Sequence, residues 1–94
     1  MKHCIIVKFI EGTDRKALLE PIRAIFSETL SIPGVRELEL RTNCIDRPNR
    51  YDLMIVLDMD PSALPAYDAS VPHQRWKSEY GAVVAKKAIF DYED

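Results

Sequence analysis

The sequence is poor in glycine and histidine and has no long apolar run. Its three glycines, Gly12, Gly34 and Gly81, stand far apart, so no glycine-rich loop that could cradle a phosphate can be drawn. The longest stretch without a charge is seven residues, as in Pro61 to Tyr67, against the ~20 needed to span a bilayer. The first apolar run, Cys4 to Val7, is four residues closed by Lys8. That is too short for the core of a secretory signal, so a cytoplasmic, membrane-free protein is expected. Two cysteines, Cys4 and Cys44, form no Cys-x-x-Cys pair and are expected to be free thiols. Basic residues are not in excess: 13 Lys and Arg face 15 Asp and Glu, a net charge of −2. No nucleic-acid partner is therefore expected. The segment Tyr51–Asp58 also lacks the basic-Gly-aromatic signature of an RNA-recognition strand. There is no Gly-x-Ser-x-Gly elbow. His3 and Cys4 are adjacent on a strand, so their side chains point to opposite faces and cannot share a metal.

What is present is one domain's worth of chain. The 94 residues are 47% hydrophobic and 30% charged, an ordinary globular composition, and residues 1–94 read as a single domain. Residues 2–10 are β-branched and aromatic-rich, a strand bounded by Gly12. Thr13-Asp14 offers a helix N-cap, and Leu18, Ile22, Ile25, Phe26 and Thr29 recur at helical spacing. Pro21 lies inside that pattern and predicts a kink or a late start. Ile32-Pro33-Gly34 ends the helix. Residues 35–42 alternate as a half-exposed edge strand, Asn43–Arg50 is a polar loop, and Tyr51–Asp58 is a second apolar strand. Asp60-Pro61 opens a short helix through Tyr67. Ser70-Val71-Pro72 starts another, with Trp76, Tyr80, Val83 and Val84 on one face and Lys86-Lys87 at its solvated end. Ala88–Glu93 is a closing strand, with the acidic residues Asp91, Glu93 and Asp94 expected to be solvated. The order βαββαβ is the ferredoxin-like pattern, an α+β fold with a four-stranded antiparallel sheet whose first and third strands are central.

Those two strands are apolar on both faces. Leu53, Ile55 and Leu57 oppose Met54 and Val56, and Ile5, Val7 and Phe9 oppose Cys4, Ile6 and Ile10. Two helices cover one face of a four-stranded sheet. A bare second face would leave an apolar patch of several hundred Å². A homodimer with its sheets face to face is expected, with Lys8 at the rim.

Two histidines and a tyrosine are the candidates for chemistry. His3 shares a strand face with Ile5 and Val7; it is either a partly buried, backbone-bonded histidine or a polar group at the mouth of an apolar pocket. His73 falls in the first turn of the last helix, either solvated or a general base. Tyr67 is either core packing or a donor that stabilises an enolate while a histidine removes the α-proton.

Lys2-His3 followed by Ile5-Ile6-Val7-Lys8-Phe9 opens a series continued by Ile32-Pro33-Gly34-Val35 and Tyr51-Asp52-Leu53. Tyr67 with His73 and then Phe90-Asp91-Tyr92-Glu93 complete it. In this order and spacing, the chain resembles the stress-responsive α/β-barrel (Dabb) family of dimeric α+β barrel proteins. The resemblance implies a homodimer enclosing a barrel and a pocket for a small organic ligand. It also implies similarity in outline to a plant polyketide cyclase that performs an intramolecular aldol condensation without a cofactor. On that likeness the catalytic residues fall on Tyr67 and His73, with His3 as the pocket histidine. Ile5, Val7, Ile22, Phe26 and Trp76 would line the pocket. The chain departs from the family's His-Pro-x-His with Ser70-Val71-Pro72-His73, so Ser70 replaces a histidine. Two other functions stay open: a non-catalytic stress or assembly protein, and a cofactor-independent monooxygenase drawing on Trp76 and His73.

Overall fold

A computed structural model describes all residues from Met1 to Asp94. The elements are β1 (Lys2–Phe9), α1 (Arg15–Ser27), β2 (Val35–Thr42), β3 (Leu53–Met59), α2 (Leu64–Asp68), α3 (Val71–Tyr80) and β4 (Val84–Tyr92). The strands form one antiparallel sheet in the order β2-β3-β1-β4. The fold is ferredoxin-like, and the most apolar strands, β1 and β3, are the central ones as expected. No helix is long and apolar enough to cross a membrane.

Strand alternation sorts the sheet into two faces. Ile5, Val7 and Phe9 on β1 and Leu53, Ile55, Leu57 and Met59 on β3 point toward the helices and are buried. They pack with Ile22, Ile25 and Phe26 of α1, Tyr67 of α2 and Trp76 of α3 in one core. Phe26 and Trp76 meet edge to face with ring centroids 5.4 Å apart, worth about 0.5–1.5 kcal/mol beyond the area they bury.

The helix starts follow the sequence. An Asp14 carboxylate oxygen caps α1 by accepting the Ala17 N–H at 3.2 Å. The expected late start at Pro21 is not observed: α1 begins at Arg15 and runs through Pro21 to Ser27. Pro21 is exposed, so only one backbone bond of the solvent side is forfeited. Gly34 sits at φ +93°, and a Cβ there would meet the Ala63 Cβ at 3.0 Å. No other residue suits both constraints.

The α3–β4 boundary is a correction. Val83 and Val84 do not continue the last helix. The chain leaves α3 at Tyr80, makes a 3₁₀ turn over Gly81–Val83, and enters β4 at Val84. Lys86 and Lys87 therefore belong to the strand, opposite Lys8 and Val7. Their side chains alternate across the sheet instead of ending a helix.

The other sheet face carries Cys4 and Ile6 from β1, Met54 and Val56 from β3, and Ala88, Phe90 and Tyr92 from β4. Phe90 is 62% exposed and Tyr92 42%. Lys8 stands at its rim, donating to the carbonyls of Pro48 at 3.1 Å and Arg50 at 2.8 Å in the 43–50 loop. At the opposite rim Asp58 is paired with Lys2 at 3.5 Å and Arg36 at 3.3 Å. Burial works to raise the Asp58 pKa, but the two cations outweigh it and hold the carboxyl below its usual range.

Candidate active site

Tyr67 stands between the two histidines. Its ring lies 5.3 Å from the His3 ring, edge-on, and 4.8 Å from the His73 ring, with centroid distances in both cases. The three come from separate elements: β1 supplies His3, α2 supplies Tyr67 and α3 supplies His73. Together with Ile5, Trp76 and Ile89 they line a cavity of about 270 Å³ between the sheet and the last two helices.

Each histidine has its Nδ1 engaged. The His73 Nδ1 lies 2.8 Å from the carbonyl oxygen of Asp68. The His3 Nδ1 meets a carboxylate oxygen of Asp91. A carbonyl or an ionised carboxylate can only accept, so Nδ1 carries the proton in both rings. In the neutral imidazole the other nitrogen, Nε2, is then a bare acceptor.

Tyr67 is 1% exposed, and its hydroxyl is buried without any hydrogen-bond partner. A buried polar group left unpaired costs about 1–3 kcal/mol, and such groups are rare enough in native structures to call for a reason. Burial, assisted by the Asp68 carboxylate, pushes the phenol well above its ordinary value of 10.0. Tyr67 therefore keeps its proton at any physiological pH and has that proton to donate.

Of the other residues expected at a pocket, Ile5 and Trp76 line the cavity. Val7, Ile22 and Phe26 do not; each is fully buried in the core behind it. Asp91 is exposed, as expected of a solvated residue, and in addition its carboxylate faces His3 across the β1–β4 ladder. Lys87 and Asp68 complete the polar part of the wall. Nothing in local spacing marks Asp91; only the β1–β4 register, which pairs His3 with Asp91, brings it into the site.

A larger cleft of about 620 Å³ opens between Ile10–Thr13 and the 43–50 loop. Three of its charged side chains are engaged in structural contacts: Lys8 on the loop carbonyls, and Asp52 on Arg15 at 2.7 Å and on the Phe9 N–H at 2.8 Å. Apolar walls with a few convergent polar groups favour the smaller cavity as the site. No three or more His, Cys, Asp or Glu side chains converge in a metal-binding group.

No family model and no curated protein matches the sequence. Solved structures do match in fold. A dimeric ferredoxin-like protein from Jannaschia sp. superposes with a TM-score of 0.77 at 22% identity, covering 99% of this chain and 97% of that one. A Dabb family protein with a ferredoxin-like fold from Mesorhizobium loti gives 0.72 at 16% identity, over 99% and 94%. Hydroxynitrile lyase from Passiflora edulis gives 0.74 at 15% identity, over 97% and 89%. The chain thus has the ferredoxin-like fold seen in a Dabb protein, in keeping with the resemblance read from its motifs, and its structural neighbours include dimeric proteins and a lyase.

Proposed function

We propose that the protein is a cofactor-free lyase or cyclase acting on small carbonyl compounds, with His73 as general base and Tyr67 as oxyanion donor. The observation that carries this reading is the Tyr67 hydroxyl, buried and unpartnered between two histidines. A substrate oxygen is what would satisfy it. His73 Nε2 takes the proton from the carbon next to a carbonyl, and the electron pair moves onto the carbonyl oxygen. Tyr67 donates a hydrogen bond to that oxygen as charge develops, and the enolate carbon then attacks a second carbonyl. The reverse sequence cleaves a carbon–carbon bond. The fold shared with a hydroxynitrile lyase supports a lyase on this scaffold. His3, held by Asp91, orients the substrate. A cavity of about 270 Å³ lies at the small end of ligand pockets, which run to about 300–1,000 Å³, and so favours a compact substrate.

Binding can be read without knowing the substrate. Titrating the protein with a panel of acyl and aromatic carbonyl compounds is expected to move the His3 and His73 imidazole resonances while leaving Cys44, outside the cavity, unmoved. Imidazoles that ignore every compound would count against the pocket.

We further infer a homodimer closed through the open sheet face, by Ile6, Met54, Phe90 and Tyr92. Dimeric structural neighbours support a dimer, and the exposure of Phe90 and Tyr92 supports this face as its interface. Phe90→Glu is expected to leave the protomer folded, because the side chain is exposed within one chain. Aromatic anchors of this kind contribute about 2 kcal/mol or more each at an interface, and the symmetric contact loses two. Sedimentation should then show a shift from twice 10.8 kDa to 10.8 kDa. A variant that sediments like the wild type would place the interface elsewhere.

A further inference from the structure

One hydroxyl joins the two residues on which the proposed chemistry turns. The Ser70 Oγ–H donates to the Tyr67 carbonyl at 2.7 Å, and the same oxygen accepts the His73 N–H at 3.3 Å. The Ser70 backbone N–H also donates to the Tyr67 carbonyl, at 3.0 Å. Ser70 is the extended N-cap residue of α3, at φ −71° and ψ 154°. Hence α2 ends and α3 begins around a single side chain.

An N-cap needs only an acceptor, and here the accepting half is the long one. The donating half, toward α2, has the usual length for an O–H···O bond, about 2.7–2.8 Å. Together with the Ser70 and Ala69 backbone N–H groups it holds the peptide that precedes the Asp68 carbonyl, and that carbonyl is the sole partner of His73 Nδ1. An imidazole in solution distributes its proton over both nitrogens; one tautomer persists only where a neighbour selects it.

The geometry points to Ser70 as a positioning residue that sets the tautomer of His73. Its hydroxyl holds the end of α2 so that the Asp68 carbonyl takes the Nδ1 proton and Nε2 is left bare in the cavity. The inference rests on the reading of His73 as the base, and it concerns how that base is aimed.

Long-range ¹H–¹⁵N spectra of the imidazoles test it, recorded at about pH 8.5, two units above the ordinary histidine value. The wild type is expected to show His73 protonated at Nδ1. Ser70→Asp keeps an acceptor for the His73 N–H and remains a good cap, but an ionised carboxylate has no proton to give Tyr67. In that variant the Nδ1-protonated form should lose its dominance and the Nε2-protonated form should appear. Ser70→Gly, which caps almost as well, should behave alike and serves if the aspartate variant does not fold. Ser70→Thr keeps both bonds and should match the wild type. A wild-type His73 pattern in the Asp and Gly variants would overturn the assignment and leave Ser70 a plain cap. No turnover enters this measurement. If His73→Ala kept full activity, the base reading would fall while the tautomer result stood on its own.

Discussion

Tyr67→Phe is expected to lower carbonyl turnover by about 10²–10³ while making the protein more stable. The two effects have one origin. In the resting protein the Tyr67 hydroxyl is buried with nothing to bond, a burden of about 1–3 kcal/mol that phenylalanine relieves without changing the shape of the core. In the reaction the same hydroxyl is the donor that meets the developing oxyanion. A residue kept only for packing would give a stability gain with no kinetic loss. Alkaline unfolding supplies a second signature. Burial raises the Tyr67 pKa above the 10.0 of the free phenol, so the unfolded chain loses this proton first as pH rises. The stability linked to this group is full below about pH 10 and declines above it. Tyr67→Phe should lack that part of the decline. Thermal melts from pH 7 to 11 would show it as a flatter profile.

His73→Ala is expected to cost about 10²–10⁴ in kcat, with KM little changed, since the ring acts on a proton and contributes little binding area. The half-buried side chain bonds only to the Asp68 carbonyl, so the melting temperature should stay within a few degrees of the wild type. A rise in KM at constant kcat would instead make His73 a binding group.

The sheet was the legible part of this sequence. Strand alternation placed Ile5, Val7, Ile55 and Leu57 on the helix face and Ile6, Met54 and Val56 on the other, because side-chain direction in a strand follows from position alone. The α3–β4 junction was not legible. Trp76, Tyr80, Val83 and Val84 keep helical spacing, but pairing of Phe9 with Val84 and Lys8 with Lys86 pulls the chain into β4, and tertiary pairing outweighs propensity. Pro21 misled for the opposite reason: its exposed position costs the helix too little to end it. At the site, His3, Tyr67 and His73 could be named from residue type and order, whereas Asp91 could not. Its role depends on a strand register between residues 88 positions apart. Val7, Ile22 and Phe26 share the helix-side layer with Ile5 and Trp76, and sequence alone does not say which of that layer stops at the core and which reaches the cavity.

The most direct test of the central claim is proton exchange. Incubating the wild type in D₂O with small ketones and β-dicarbonyl compounds, and following loss of the α-proton signal by NMR, asks only for the first chemical step. Exchange above the buffer rate, lost in both His73→Ala and Tyr67→Phe and retained in Ser70→Thr, is the predicted result. Exchange that proceeds equally well in His73→Ala, or no exchange with any compound that shifts the His73 resonances, would contradict it.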